Sequence, residues 1–103
     1  MGLHKEFINN LSKNKNDIGR LIPYFLMSSY LYYECNKSVF SDEDFDLLCE
    51  RLLENFDNVK HMHKHLINKE DLKSGSGYAI KYTNMIKGAS LSWYEQEKGK
   101  HNG

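Results

Sequence analysis

The clearest hydrophobic periodicity lies near the middle of the chain. Apolar side chains recur there at helical spacing, at Phe45, Leu48, Cys49, Leu52, Leu53 and Phe56. Ser41 is a candidate N-cap before this row, and Asp44 follows three residues later, as in a capping box. Residues 42–44 are all acidic, which suits the positive end of a helix dipole. We therefore predict a helix over residues 42–56 with this row facing the core.

A second apolar row precedes that helix. Its members are Ile18, Leu21, Ile22, Phe25, Leu26, Ser29 and Tyr32. Pro23 constrains the helix, because proline removes a backbone donor and disfavours helix in the residue before it. We place Pro23 in the first turn of a helix that ends near Cys35, after one separate helical turn; a longer kinked helix is the alternative. Residues 17–35 and 42–56 then predict a central antiparallel helical hairpin in a small, mainly α domain.

Shorter elements flank this predicted hairpin. An amphipathic helix over residues 3–12 is predicted by the spacing of Leu3, Phe7, Ile8 and Leu11. Residues 57–69 lack a regular period, and the run from His61 to Leu66 is either extended or part of a loop. Asn68 is placed to cap a short turn over residues 69–73.

The last quarter of the chain is interrupted by glycine and serine at residues 74–77. Residues 78–96 are predicted to be mainly helical, with a break near Thr83 or Gly88. Residues 98–103 are polar, and we expect a disordered tail there. The chain is long enough for one small domain, which we place at residues 1–97.

Composition and charge exclude several classes of function. The chain of 103 residues carries 14 basic and 14 acidic side chains, so we expect no direct nucleic-acid partner. Its longest apolar stretch, residues 21–27, is too short to cross a bilayer, and residues 1–6 lack the apolar run of a signal peptide. Cys35 and Cys49 form no Cys-x-x-Cys pair, and we expect core thiols rather than a disulfide. A soluble, cytoplasmic protein without a membrane partner is expected.

The segment from Tyr30 to Leu48 carries the most informative motif. Aromatic and acidic residues flank a short polar link there, at Tyr30, Tyr32, Tyr33, Asp42, Phe45, Asp46 and Leu48. This spacing resembles, without a gap, the extreme N-terminal subdomain of bacterial NAD-dependent DNA ligases. In that family the pattern is an aromatic, one residue, Tyr-His, a short turn, Asp, two residues, Tyr-Asp and a Leu. Two positions depart from it, because Tyr33 replaces the His and Phe45 replaces the second Tyr.

The resemblance implies a small helical cap that receives the nicotinamide mononucleotide (NMN) half of NAD. In the ligases, that nucleotide is surrounded by the positions that match Tyr32, Tyr33, Asp42, Phe45 and Asp46. The residue types suit this role, because aromatic faces stack on a cationic pyridinium ring and carboxylates accept hydrogen bonds from ribose hydroxyls. Tyr33 keeps a stacking surface but cannot act as an acid near neutral pH as histidine does. Phe45 keeps the π-face but lacks the phenolic donor.

The resemblance does not extend to a complete ligase. The Lys-x-Asp-Gly motif that carries AMP in ligases is absent from the sequence. We therefore predict a non-catalytic module, not an enzyme, that binds NAD or NMN. The alternative is a protein-interaction adaptor or inhibitor without a ligand, of the kind that phages or mobile elements encode. Asp42 and Asp46 would then only cap and solubilise the start of a helix.

A weaker candidate site is the alternation of His61, His63 and His65. In a strand the three imidazoles would share one face and suit zinc. No fourth ligand accompanies them in the sequence. We therefore interpret the run as a His-rich loop and predict no metal site.

Overall fold

The computed structural model describes residues 4–61, 64–74 and 80–102. Within these ranges the chain forms five α-helices: α1 Lys5–Lys13, α2 Leu21–Glu34, α3 Asp42–Asn55, α4 Lys69–Ser74 and α5 Asn84–Asn102. Short 3-10 turns cover Ile18–Arg20 and Lys64–Leu66. No strand occurs in the described ranges. The fold is therefore mainly α, as predicted.

The centre of the fold is the predicted antiparallel hairpin of α2 and α3. Helix α5 lies along α2, while α1 and α4 pack on α3. Before Glu34, α2 has no charged side chain, so it can be buried on most of its sides. Its buried residues are Leu21, Ile22, Phe25, Leu26, Ser28, Ser29 and Leu31.

Pro23 occupies the first turn of α2, as predicted. The 3-10 turn Ile18–Arg20 leads directly into this helix. Proline is well tolerated at this position, because the first N–H groups of a helix have no intrahelical acceptor. The alternative of a long helix kinked at Pro23 is therefore wrong.

Helix α3 begins with the predicted N-cap, since the Ser41 hydroxyl accepts a hydrogen bond from the Asp44 backbone N–H at 3.1 Å. The predicted apolar row faces the core. Leu48 and Leu52 are fully buried in it. Phe45 and Phe56 are only partly buried and pack against the edge of the core. The register of this helix is confirmed, although its two phenylalanines are more exposed than a core position would be.

Helix α5 differs most from the sequence prediction. It begins at Asn84, where the Thr83 hydroxyl caps it by accepting from the Ile86 N–H at 3.3 Å, and it continues through Gly88. It also covers most of the expected tail and ends at Asn102. Residues 95–98 are Glu-Gln-Glu-Lys, which are good helix formers and favour continuation of the helix. Most of the predicted break at residues 74–77 lies outside the described residues.

The remaining short elements agree with the sequence prediction. Helix α4 begins directly after Asn68, and within the predicted loop or extended run the described segment Lys64–Leu66 is a 3-10 turn. In the described part of the chain, no helix combines the length and the apolar character needed to span a membrane.

Candidate functional site

A pocket opens where the end of α2 meets the start of α3, and it encloses about 290 Å³. Its wall contains all five residues that the ligase resemblance assigns to the nucleotide: Tyr32, Tyr33, Asp42, Phe45 and Asp46. Ser28 and the link residues 38–40 complete the lining. We call this cavity the motif pocket. The structure therefore brings the sequence-predicted site residues together in one place.

The last turn of α2 supplies the tyrosines of the motif pocket. Tyr32 is 54% exposed, and its ring meets the Tyr33 ring edge-to-face with centroids 4.8 Å apart. The chain reverses just beyond them at Asn36, whose φ of 54° lies in the left-handed region that asparagine tolerates. The Lys37 N–H then donates to the Leu31 carbonyl at 2.8 Å. This compact end of α2 leads the link back toward α3.

The first turns of α3 supply the opposite wall. Asp42 is the first residue of the helix and Asp46 follows one turn later, so both exposed carboxylates share a face. Phe45 lies beside them, and its ring stacks on Phe25 with centroids 5.6 Å apart and planes inclined by 20°. The core therefore holds the Phe45 ring in place at the edge of the pocket.

The charge of the motif pocket is one-sided. Asp42 and Asp46 are acidic, and none of its lining residues in the described part of the chain is a lysine or arginine. Lys37 follows α2 closely, but its Nζ lies over the Tyr94 ring, 5.0 Å from the centroid. The pocket consequently favours a cationic group over an anionic one.

Asp44 has a different role from its acidic neighbours, because only 1% of it is exposed. Its Oδ2 accepts a hydrogen bond from the His4 backbone N–H at 3.2 Å and lies 3.6 Å from His4 Nδ1. The carboxylate thus bonds to the start of α1, and the capping box with Ser41 is only half formed. Asp44 links the start of α1 to α3 through this hydrogen bond, and it does not line the motif pocket.

Sequence reasoning missed Ser28 and the link residues 38–40 as parts of the lining. Ser28 lies four residues before Tyr32, so helical spacing on α2 was a usable signal. Its hydroxyl donates to the carbonyls of Tyr24 and Phe25, at 2.7 and 3.1 Å. Ser28 therefore forms part of the wall, but its hydroxyl hydrogen is already donated to the backbone of α2. The link carries no periodicity that would have identified its residues.

The two cysteines are free thiols. Cys49 is buried in the core, and desolvation there raises the pKa of its thiol to about 12. It stays protonated near neutral pH and is a poor nucleophile. Cys35 is half-buried at the end of α2.

The alternating histidines form no metal centre among the residues that the structure describes. His63 lies outside the described residues, and His65 belongs to the 3-10 turn Lys64–Leu66. Across the described ranges, no group of three or more His, Cys, Asp or Glu side chains is arranged to hold a metal ion.

The chain matches no protein-family model, no curated protein and no solved structure. Its function is therefore inferred from the residues themselves. The main feature is the motif pocket, where two tyrosines of one helix face two carboxylates and a phenylalanine of the next.

Proposed function

We propose that this chain is a small non-catalytic module that binds a nicotinamide nucleotide, NMN or NAD, in the motif pocket. The observation that carries the proposal is that the motif residues meet at one pocket. All five residues that the ligase resemblance assigns to the nucleotide line one pocket, although α2 supplies two of them and α3 supplies three.

The chemistry of the wall suits the nicotinamide end of the ligand. The oxidised pyridinium ring is flat and cationic, and a cation over an aromatic face gains about 0.5–2 kcal/mol, depending on how far it is desolvated. In this proposal Tyr33 and Phe45 provide the faces. Asp42 and Asp46 neutralise the positive charge, and Asp46 accepts a hydrogen bond from a ribose hydroxyl.

The same wall is poorly suited to the phosphate, because no lysine or arginine lines the motif pocket in the described residues. Nicotinamide riboside, which lacks the phosphate, should therefore bind at least as tightly as NMN. NADH should bind more weakly than NAD, because its dihydronicotinamide ring carries no positive charge.

The expected affinity is weak, with a Kd in the micromolar to millimolar range, about −4 to −8 kcal/mol. The ligase resemblance explains this expectation, since in the ligases the cap closes over NAD that another domain holds. A pocket that no second domain closes excludes less water from the ligand than a closed site does.

Isothermal titration calorimetry of the chain with nicotinamide riboside, NMN, NAD and NADH tests the proposal. Asp46→Ala should weaken binding roughly tenfold, because it removes a charged acceptor. Glu50→Ala is the matched control, since it removes an exposed carboxylate one turn further along α3 that does not line the motif pocket. Far-UV circular dichroism verifies the fold of both variants.

Two results would contradict the proposal. One is the absence of binding heat with all four ligands at millimolar concentration, and the other is equal affinity in Asp46→Ala and Glu50→Ala. Mass spectrometry after incubation with NAD provides a separate test of the non-catalytic part. It should find no AMP attached to the chain, and a stable adduct would contradict that part.

A second candidate function is that of a protein-interaction adaptor or inhibitor. The observation that favours it is the 54% exposure of Tyr32 beside Tyr33, because tyrosines are preferred anchors at protein interfaces. This candidate predicts that Tyr32→Ala abolishes association with a protein partner. It also predicts that nicotinamide ligands neither bind nor compete with that partner.

A further inference from the structure

A second pocket shares no residue with the motif pocket. It lies between α1, α2 and α5 and encloses about 390 Å³. Its lining consists of His4, Phe7, Tyr24, Trp93, Gln96 and Glu97. We call this cavity the aromatic cleft, because three different helices each contribute one large ring to it.

The three rings are steeply inclined to one another. The Phe7 and Tyr24 centroids are 5.1 Å apart with planes at 87°, and the Tyr24 and Trp93 centroids are 5.4 Å apart with planes at 62°. All three side chains are partly buried, so their neighbours hold them while part of each surface remains accessible. Inclined rings around one space are the arrangement with which aromatic cages bind quaternary ammonium groups.

The charge of the lining residues also favours a cation. The Arg20 guanidinium lies over the Tyr24 ring, 5.9 Å from its centroid, but it does not line the cleft. Glu97 adds a carboxylate to the wall, and no lysine or arginine is among the lining residues of the described chain. Charge complementarity therefore favours a positively charged occupant.

The aromatic faces of the cleft select the kind of cation. A primary ammonium has three N–H donors and is strongly hydrated, so burying it against three rings would leave donors without partners. A quaternary ammonium has no N–H group, and its methyl groups contact aromatic faces directly.

We propose that the aromatic cleft binds a quaternary ammonium group, carried either by a small molecule such as choline or by a trimethylated lysine. Cation–π attraction to Phe7, Tyr24 and Trp93 holds the methylated head. The cleft shares no lining residue with the motif pocket, so nicotinamide binding and quaternary ammonium binding are tested separately.

Trp93 is the only tryptophan of the chain and lines the cleft, so its fluorescence reports on this site. The probes are choline, a peptide containing trimethyllysine, and 3,3-dimethylbutanol, which has the shape of choline without its charge. We expect a saturable change with at least one of the two cations, and binding of the neutral analogue about tenfold or more weaker. The tighter-binding cation identifies the source of the group. Equal binding of the neutral analogue, or no saturable change with either cation, would overturn the proposal.

Variants at Tyr24 test whether binding depends on the aromatic face of this side chain or only on its size. Tyr24→Phe keeps the ring and should bind like the parent, whereas Tyr24→Leu should bind about tenfold more weakly. Tyr32→Leu makes the same change at an exposed tyrosine of the motif pocket and should leave the affinity for the cation unchanged. If circular dichroism shows that Tyr24→Leu is unfolded, Phe7→Leu replaces it with the same expected loss. Parent-like binding by a folded leucine variant at Tyr24 or Phe7 would overturn the proposal.

Discussion

The motif pocket and the aromatic cleft are built in opposite ways. All residues of the motif pocket come from one continuous stretch, residues 28–46, whereas α1, α2 and α5 each supply a ring to the cleft. The two sites are neighbours, because Phe40 of the motif pocket packs edge-to-face on His4 and Trp93 of the cleft, with centroids 5.0 and 5.2 Å apart. The first pocket is therefore lined by the central hairpin alone, while the second forms only when distant helices are docked.

The largest expected effect removes the support that both sites share. Leu52 is fully buried in α3, and Leu52→Ala should lower the free energy of unfolding by about 2–5 kcal/mol, through lost burial and the cavity left behind. Because small domains are only marginally stable, both pockets should be lost in a substantial fraction of the molecules. Urea unfolding followed by circular dichroism measures the change.

Leu91→Ala is the control for Leu52→Ala. It makes the same substitution at a leucine of α5 that is 43% exposed, and it should change the stability by no more than about 0.5 kcal/mol. Equal effects of the two substitutions would show that α3 does not pack as the structure has it.

The contrast between the pockets also marks what the sequence can predict. Apolar periodicity placed both bounds of α3 and the end of α2 within about one residue, and the N-cap at Ser41 was visible because caps act over three residues. The residues of the motif pocket could be predicted from the sequence for the same reason. The helix ends that form it are joined by a short link, so nearby positions in the sequence also meet in space.

Long-range contacts leave no comparable signal in a single sequence. Phe7 belongs to an apolar row, but nothing in that row specifies that its ring meets Tyr24 of α2. Asp44 was predicted as a partner for Ser41 in a capping box, yet its carboxylate bonds to His4, which lies 40 positions earlier. Which helix docks on which surface is decided by packing of the whole domain, and the aromatic cleft depends on that packing.

The next largest effect should separate the two sites. Asp44→Ala leaves the partly buried His4 backbone N–H without its acceptor and should destabilise the domain by about 1–3 kcal/mol. It also releases the start of α1, which carries His4 and Phe7 of the cleft, so choline should bind more weakly while the affinity for NMN stays near that of the parent. Fluorescence and calorimetric titrations of the same variant measure both affinities.

Asp46→Ala provides the converse of Asp44→Ala. Asp46 is exposed, so its removal should change the stability by no more than about 0.5 kcal/mol while weakening NMN binding and leaving the cleft intact. Parallel losses at both sites in both variants would show that the two pockets are not supported by different contacts.

The smallest expected effect concerns the turn behind the motif pocket. Asn36 has a φ of 54°, where glycine has no steric penalty, so Asn36→Gly should raise the free energy of unfolding by up to about 1 kcal/mol. Asn36→Ala should lower it by about 1 kcal/mol, because an alanine Cβ is strained in this region. Asn10→Gly is the matched control in the interior of α1, and it should destabilise by a few tenths of a kcal/mol, since glycine disfavours helix. Because Asn36 lines neither pocket, its variants should bind NMN and choline like the parent. A loss of NMN affinity in the stabilised Asn36→Gly variant would mean that the motif pocket depends on the backbone of this turn as well as on its lining side chains.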